Sequence, residues 1–482
     1  MAVTDQYNIA VFGAGSGGIG AALAALGLDI SVALIETADS IGGTAVRGGV
    51  HVWEPCAGST GIPFDIYRRL KQIPLAVGIY SYGRHRSWHK DSNQPAFPGG
   101  EYVMDATQRY LNTLQRHGVA GIIGCESFVR RYFHGVVFKP EAYIHVVEEM
   151  LNSYRKARLF KQTGFTQIDD ADGVIRSVTL TDGRIIQADV FVDATGDGRL
   201  CLACGCEALT GRDSRGRFNE PDAPEHPDAF LNAVTLIYRV SPASQPGIMP
   251  PPPDIQEDCW WHDRFPAVVA TQCPWGDYQM NMLPTMEGRE FMNMEYEQAY
   301  AECRRRVLAH WHYCQTIFPE FRGYRLAWIA PALGVRESHR IVCDYMLTEN
   351  DILAGLHQQS HPDIIALADH ALDRHGDNVG EYPIMKMPYG VPYRCLIPKG
   401  RQNLLIACRA SGFSSLAASS CRLSRTMLQL GQAAGTAAAL AVQKSLPAAK
   451  VPPDELRRML RKQHVQLDWP MPPELKAYIT NE

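Results

Sequence analysis

A chain of 482 residues is too long for one small core and predicts two or three domains. Its hydrophobic content of 46% and charged content of 20% are those of a globular protein. Lys and Arg number 47 against 51 Asp and Glu, a net charge of −4, which argues against nucleic acid or an anionic membrane as a partner.

The N-terminal stretch YNIAVFGAGSGGIGAALAALGLDISVALIET organises the rest. Residues 9–12 predict a buried strand, 19–28 a small-residue helix and 30–35 a second buried strand. Between the first two lies Gly13-Ala14-Gly15-Ser16-Gly17-Gly18, a G-x-G-x-x-G pattern. Gly13 permits the tight turn, Gly15 lets the backbone approach a pyrophosphate, and Gly18 lets helix pack on strand. The helix start offers unpaired N–H groups and a positive dipole end to phosphates. Glu36 closes the second strand, placed to accept from a ribose hydroxyl pair. Strand, helix and acid at the expected offset predict a dinucleotide site.

Gly42-Gly43-Thr44 follows, as expected where a loop passes under the inner part of a flavin dinucleotide. Residues 46–61 are Gly-rich and include His51, Trp53 and Cys56; they should run close to a flat ring system. Residues 64–70 predict a helix, 83–100 a loop and 105–117 an amphipathic helix. His85 and His89 in that loop have a metal-compatible spacing but read as solvated histidines. Residues 140–154 predict a helix, and 159–168 a strand. Segments 174–180 and 184–187 flank a Thr-Asp-Gly hairpin turn, and 190–193 is a buried strand. That strand ends in Ala194-Thr195-Gly196-Asp197-Gly198, a second nucleotide-fold signature.

Thirteen cysteines are scattered and odd in number, and the first apolar run already belongs to the nucleotide fold. Reduced thiols in a cytoplasmic setting are therefore expected. Cys201, Cys204 and Cys206 form C-x-x-C-x-C without a clear fourth ligand, and read as structural cysteines. No metal site is expected.

The texture changes at residue 209. Residues 233–240 and 278–283 predict strands, 241–254 a Pro-rich linker and 295–318 a long helix. Trp260, Trp261, Trp275 and Tyr278 serve either a substrate pocket or a small sheet's core. The nucleotide fold resumes with GVRESHRI, a buried strand at 403–408 and an Ala/Gly-rich closing helix whose start, near residues 421–424, would aim its dipole at something electron-rich. The expected divisions are 1–207, with a loop and helix insertion at about 70–120; a substrate or cap domain at 208–330; a return segment at 331–450; and a C-terminal helix and tail at 451–482.

GAGSGGIGAALAA, GGTAVRGG, DATGDG, GVRESHRI, PYRCLIPK and GQAAGTAAALA occur in that order. Together they resemble the FAD-dependent oxidoreductases of the glutathione-reductase-like, two-dinucleotide-binding superfamily, in a branch related to fumarate reductase flavoprotein subunits. The resemblance implies an α/β fold, a Rossmann-like FAD-binding domain with an inserted α+β substrate domain. It implies non-covalent FAD held by Gly13, Gly15, Ser16, Gly17, Gly18, Glu36, Gly43, Thr44, Ala194, Thr195, Gly196 and Asp197. Ser420, Cys421 and Arg422 would face the pyrimidine edge of the flavin.

The expected activity is hydride transfer between a small organic substrate and flavin N5. A flavin monooxygenase and an FAD-binding electron-transfer subunit are the alternatives. The electron acceptor (oxygen, a nicotinamide or a carrier protein) and homo-oligomerisation stay open. His339 stands where the family pattern has arginine. Arg336, His339, His51 and Arg422 are the catalytic candidates, Arg336 and His339 sharing a face if their run is helical. Arg336 and Glu337 would otherwise form an ion pair, and Cys56 is a redox candidate.

Overall fold

The structure is a computed structural model and describes residues 3–85, 100–115, 126–254, 267–375, 385 and 387–482. In chain order, β1 (Thr4–Phe12), α1 (Ser16–Leu26) and β2 (Val32–Ile35) open the fold. They are followed by β3 (Val52–Trp53), α2 (Ile62–Leu70), β4 (Val77–His85), β5 (Gly100–Met104), α3 (Glu126–Tyr132), β6 (His134–Phe138) and α4 (Pro140–Asn152). Next come β7 (Ala157–Phe160), β8 (Phe165–Ala171), β9 (Val174–Leu180), β10 (Ile185–Asp193), α5 (Arg199–Ala203), β11 (Ala208–Leu209), α6 (Arg215–Phe218) and β12 (Tyr238–Pro242). Then follow β13 (Ala267–Gln272), β14 (Tyr278–Leu283), α7 (Gly288–Met292), α8 (Tyr296–Ile317), β15 (Tyr324–Ile329), β16 (Arg340–Ile341) and α9 (Glu349–Ala354). The chain ends with β17 (Ile364–Ala368), β18 (Tyr389–Pro392), β19 (Leu404–Ile406), α10 (Ser415–Ser420), α11 (Ser424–Lys444), α12 (Pro453–Lys462) and α13 (Pro473–Thr480).

A seven-stranded sheet runs β7-β2-β1-β10-β9-β8, with β19 also paired to β10. Strands β7, β2, β1, β10 and β19 pair in parallel. Near-continuous apolar runs suit them, because helices cover parallel strands on both faces. Phe12 lies opposite both Ile35 and Asp193, so β1, β2 and β10 end in register. Gly13, Glu36 and Ala194 therefore leave the sheet side by side, at the carboxyl edge where open α/β sheets bind ligands.

Helices α1 and α11 pack backbone to backbone. A Cβ on Gly431 would lie 1.9 Å from the Gly17 oxygen, and one on Gly435 2.1 Å from the Ala21 oxygen. The small residues of both helices exist for this approach.

The second, eight-stranded sheet runs β15-β12-β14-β13-β5-β4-β6-β3. Its two halves come from residues 52–138 and 238–329 and meet where β5 pairs in parallel with β13. The sheet thus crosses the expected boundary at residue 208, because the 70–120 insertion supplies strands rather than a loop and helix. Strand alternation assigns its faces. Val268, Ala270, Met280 and Met282 face α8, whose Val307 and Trp311 are fully buried. Their neighbours in sequence point the other way.

Some local expectations change. The run 159–168 divides into β7 and β8, because Gln162 at φ +54 turns the chain between them. Segments 184–187 and 190–193 are one strand, β10. In place of a helix at 105–117 there is a 3-10 turn at Tyr110–Leu114, its first N–H taken by the Glu482 carboxylate at 2.9 Å. The remaining two residues of that helix, most of the 83–100 loop with His89, and Trp260 and Trp261 lie outside the described residues. The C-terminal tail carries a second helix, α13, whose Tyr478 hydroxyl donates to Asp65 at 3.0 Å.

Gly431→Ala tests the helix contact. Alanine gains about 1 kcal/mol in helix propensity, but its methyl must displace the Gly17 backbone. Urea unfolding should show a net loss of about 1–3 kcal/mol, the usual cost of overpacking.

Candidate active site

A cavity of about 600 Å³ runs from the carboxyl edge of the parallel sheet to the inner face of the eight-stranded sheet. At the sheet end its wall is Gly13, Gly15, Ser16, Gly17, Glu36, Gly43, Thr44, Ala194, Thr195, Gly196 and Asp197. Gly13 sits at φ +98, and a Cβ there would come within 2.3 Å of the Ala194 oxygen. A Cβ on Gly15 would meet only the Gly43 Cα, at 3.9 Å, so its open side belongs to the cavity. Helix α1 begins without a side-chain cap and without an acid in its first turn. Glu36 Oε2 accepts the Ala14 N–H and Oε1 the Ala38 N–H, both at 2.8 Å, with the Thr37 hydroxyl also on Oε1 at 3.3 Å, which leaves Oε2 a lone pair. Burial opposes the charge of Asp197, but Arg409 and the Ser338 hydroxyl hold its pKa below the usual range. Uncapped helix, glycine cradle and fixed carboxylate fit a dinucleotide with its pyrophosphate on α1.

Three expected cofactor residues lie off this wall. Gly18 packs against the turn, its Cβ position 1.8 Å from the Gly13 oxygen. Ser420 is fully buried, sharing a hydrogen bond with the Tyr389 hydroxyl at 2.6 Å and donating to the His370 carbonyl. Cys421 is fully buried. The chain breaks between α10 and α11, so the helix that points at the cavity starts at Ser424, and Arg422, Leu423, Ser424 and Arg425 meet it instead.

Helix α11 also begins uncapped and without an acid in its first turn. Arg425, unforeseen in the sequence, is 1% exposed and bonds Thr113 Oγ1 at 2.9 Å, the Thr113 carbonyl at 3.1 Å and the Glu54 carbonyl. It lies over Trp53 and Tyr110 and has no carboxylate partner among the described residues. A permanent cation and a helix N-terminus together make this end of the cavity positive.

The loop after β17, HALDRH at 370–375, supplies a charged cluster that the sequence reading passed over. Asp373 Oδ2 lies 2.8 Å from His375 Nε2, 2.5 Å from Arg422 Nη2 and 3.9 Å from His370 Nε2. Burial works against the Asp373 charge, yet His375 and Arg422 hold its pKa well below the carboxylate range. Burial, with Arg336 adding to it, lowers the His375 pKa despite Asp373. The pair is therefore carboxylate and neutral imidazole, with Nε2–H donating to Asp373 and Nδ1 the basic nitrogen. His370 Nε2 lies 3.4 Å from Glu54. Arg336 lines the cavity beside them, donating to the Ala233 carbonyl at 2.7 Å and Thr235 Oγ1 at 2.6 Å. A His-x-x-Asp-x-His run after a buried strand was the available signal.

The opposite wall is the eight-stranded sheet. Val269, Thr271, Gln279 and Asn281 face the cavity, alternating with the α8-facing residues. Tyr102 stacks on Phe133 with centroids 5.4 Å apart, and Tyr80 lies 5.1 Å from Tyr102. Trp275 and Tyr278 stay off this wall: Trp275 packs by His51, and Tyr278 by Phe321 and Tyr324.

Two catalytic candidates are displaced. His51 is fully buried between Phe138, Trp275 and Trp328 and lies outside the cavity wall. Burial first, then Arg239, lower its pKa to about 3. Residues 335–339 form no helical turn, so the helical spacing that would put Arg336 and His339 on one face is absent, and His339 is absent from the cavity wall. Glu337 pairs with Arg340 at 2.8 Å rather than with Arg336. Cys56 is fully buried, its pKa raised by burial, which leaves it an inert thiol.

Residues 8–460 match the model of the family described as FAD dependent oxidoreductase. No curated protein matches the chain in sequence. Among solved structures it is similar to p-nitrophenol 4-monooxygenase PnpA from Pseudomonas putida DLL-E4, at 9% identity and a TM-score of 0.45 over 99% of this chain and 93% of that one. It is similar to a geranylgeranyl bacteriochlorophyll reductase-like protein from Thermoplasma acidophilum, at 10% identity and a TM-score of 0.41 over 99% and 96%. It is also similar to L-proline dehydrogenase from P. horikoshii, at 11% identity and a TM-score of 0.38 over 95% and 99%.

Gly15→Val should give a folded but colourless protein, because a branched side chain fills the phosphate side of the cavity; flavin absorbance of the purified variant checks this. His51 makes a pH prediction. Its folded pKa of about 3 lies below the 6.5 of a free imidazole, so the unfolded chain takes up the extra proton. Stability is then full above pH 6.5 and falls as pH drops toward 3. His51→Phe should flatten that slope in urea titrations while leaving activity in place.

Proposed function

The chain belongs to the FAD dependent oxidoreductase family, and we propose that it passes a hydride between a small organic substrate and FAD, with Asp373 and His375 handling the accompanying proton. The observation that carries this reading is the Asp373–His375–Arg422 cluster on the wall between the dinucleotide trough and the eight-stranded sheet. Bound FAD supplies the two-electron partner, whose N5 accepts or returns the hydride. Gly13, Gly15, Ser16 and Gly17 would hold its pyrophosphate and Glu36 its adenosine ribose. The α11 N-terminus with Arg425 would stabilise negative charge on the ring.

His375 Nδ1 takes the proton from a substrate O–H or N–H. Asp373 fixes the tautomer and stabilises the imidazolium that forms, while Arg422 keeps Asp373 ionised. Arg336, fixed by Ala233 and Thr235, orients a substrate carbonyl or carboxylate through its planar fork. The sheet wall of Tyr80, Tyr102 and Phe133 keeps water from the reacting atoms. A cap built on that sheet supports an autonomous enzyme over an electron-transfer subunit. The order of the six motifs supports the finer kinship with fumarate reductase flavoprotein subunits.

The test is anaerobic single-turnover reduction of the bound flavin. His375→Gln should keep FAD and fold but slow reduction by roughly two to four powers of ten, the worth of a positioned base. The wild-type rate should rise from acid pH with a midpoint below pH 6.5, because the His375 pKa is lowered and its neutral form is the active one; the variant should lose that limb. His339→Gln should match wild type. An unchanged rate in His375→Gln would remove the proposed base. Reduction that requires a nicotinamide would assign the monooxygenase chemistry instead.

A further inference from the structure

Arg425 is a buried cation on the cavity wall, and no carboxylate touches it among the described residues. A buried charge is costly unless something compensates it. Here the compensation runs through the 3-10 turn at Tyr110–Leu114. Arg425 Nη1 donates to Thr113 Oγ1 at 2.9 Å. The Thr113 hydroxyl donates in turn to the Tyr110 carbonyl at 2.8 Å. The N–H of the same Tyr110 donates to Glu482 Oε2 at 2.9 Å. Three hydrogen bonds thus point one way, from the Arg425 cation to the Glu482 carboxylate, and each polarises the next.

Both the ends and the middle of this chain are sheltered. The Glu482 side chain is 2% exposed, and its other oxygen holds Lys71 Nζ at 3.1 Å and Arg109 Nη1 at 3.5 Å. Tyr110 and Thr113 are fully buried. The guanidinium lies over the Tyr110 ring, 5.6 Å from its centroid, and the Tyr110 hydroxyl donates to the Ser59 carbonyl at 2.7 Å. The Thr113 carbonyl takes Arg425 Nη2 at 3.1 Å and the Cys56 N–H at 3.0 Å. One turn therefore fixes the guanidinium and the Gly-rich loop beside it.

We propose that Glu482 is a positioning residue for the flavin. Through Tyr110 and Thr113 it holds Arg425 where the guanidinium stabilises negative charge on the ring. This rests on the reading that puts the ring at the α11 N-terminus. Glu482 itself lies off the cavity wall, so it acts on the cofactor only through the turn and Arg425. Without its carboxylate the Tyr110 N–H loses its acceptor, the turn shifts and the cation moves from the ring. Reduced flavin, which carries the added negative charge, loses more by this than oxidised flavin. FAD binding weakens, and the flavin midpoint potential falls.

The experiment uses the purified holoprotein and needs no substrate. FAD release on dilution is followed by flavin fluorescence, and the midpoint potential by redox titration against dyes. Glu482→Ala should weaken FAD binding by about tenfold, the worth of a hydrogen bond to a charged group. A further tenfold loss for reduced flavin corresponds to a potential about 30 mV lower. Glu482→Gln should fall between, because its amide oxygen still accepts the Tyr110 N–H but carries no charge. Thr113→Val breaks the chain at its middle and should lower the potential in the same direction, which keeps the test open if Glu482→Ala does not fold. Arg425→Leu should lower it further, and adding Glu482→Ala to Arg425→Leu should change nothing more, as expected of groups that act through one chain. A wild-type potential in both Glu482→Ala and Thr113→Val, or a full second fall in the double variant, would overturn the positioning role alone. A wild-type potential in Arg425→Leu would overturn it together with the placement of the ring.

Discussion

The structure depends on a close backbone approach of three segments distant in sequence. The turn after β1, the end of β10 and the end of β19 meet beneath the cavity. Gly13 lies against the Ala194 carbonyl, Gly17 against the Ala407 carbonyl, and Gly431 against the Gly17 carbonyl. Side chains at these positions would force the segments apart by more than a close-packed interior tolerates. With them absent, the α1 and α11 N-termini converge on one cavity from two directions. The fold thus concentrates positive potential at both ends of the space a dinucleotide occupies, using backbone rather than many charged side chains.

The opposite wall follows from a simpler rule. Strands β13 and β14 send alternate residues to α8 and to the cavity, so Met280 and Met282 build a core while Gln279 and Asn281 face the site. The same alternation cannot supply charge at the reacting centre. That comes from the irregular loop after β17, held by the Ala233 N–H to His375 carbonyl bond at 3.0 Å and by the Asn232 side chain on the His375 N–H at 2.9 Å. Ser420, away from the cavity, also ties this loop through the His370 carbonyl. A polar cluster on a loop, with a rigid layer on each side, is the usual placement of functional side chains.

What the sequence revealed were demands met by consecutive residues. A strand, a Gly turn and an uncapped helix followed by Glu36 are local, as are the Thr-Asp-Gly hairpin and the turn at Gly196. The Asp373–His375 cluster was invisible because its meaning lies in Arg422 and Arg336, which the fold alone brings beside it. The eight-stranded sheet was equally hidden: β5 pairs with β13 at Glu101 and Ala270, which are far apart in sequence. His51 looked titratable as a residue type, but burial among three aromatic rings decides its protonation. His339 failed for want of a helical turn, since its register with Arg336 depended on a period the backbone does not adopt. The closing helix starts at Ser424, at the end of the expected range 421–424, because the extended Leu423 separates α10 from α11.

The most direct measurement is a crystal structure of the holoprotein with FAD and a bound substrate or product. The expected result is a flavin ring in the cavity between Thr44 and Arg422, with His375 Nδ1 within about 3 Å of the ligand's exchangeable proton, or one water away. A ring whose substrate-facing side is bounded by other titratable groups, with the Asp373–His375 pair behind the dinucleotide, would contradict it.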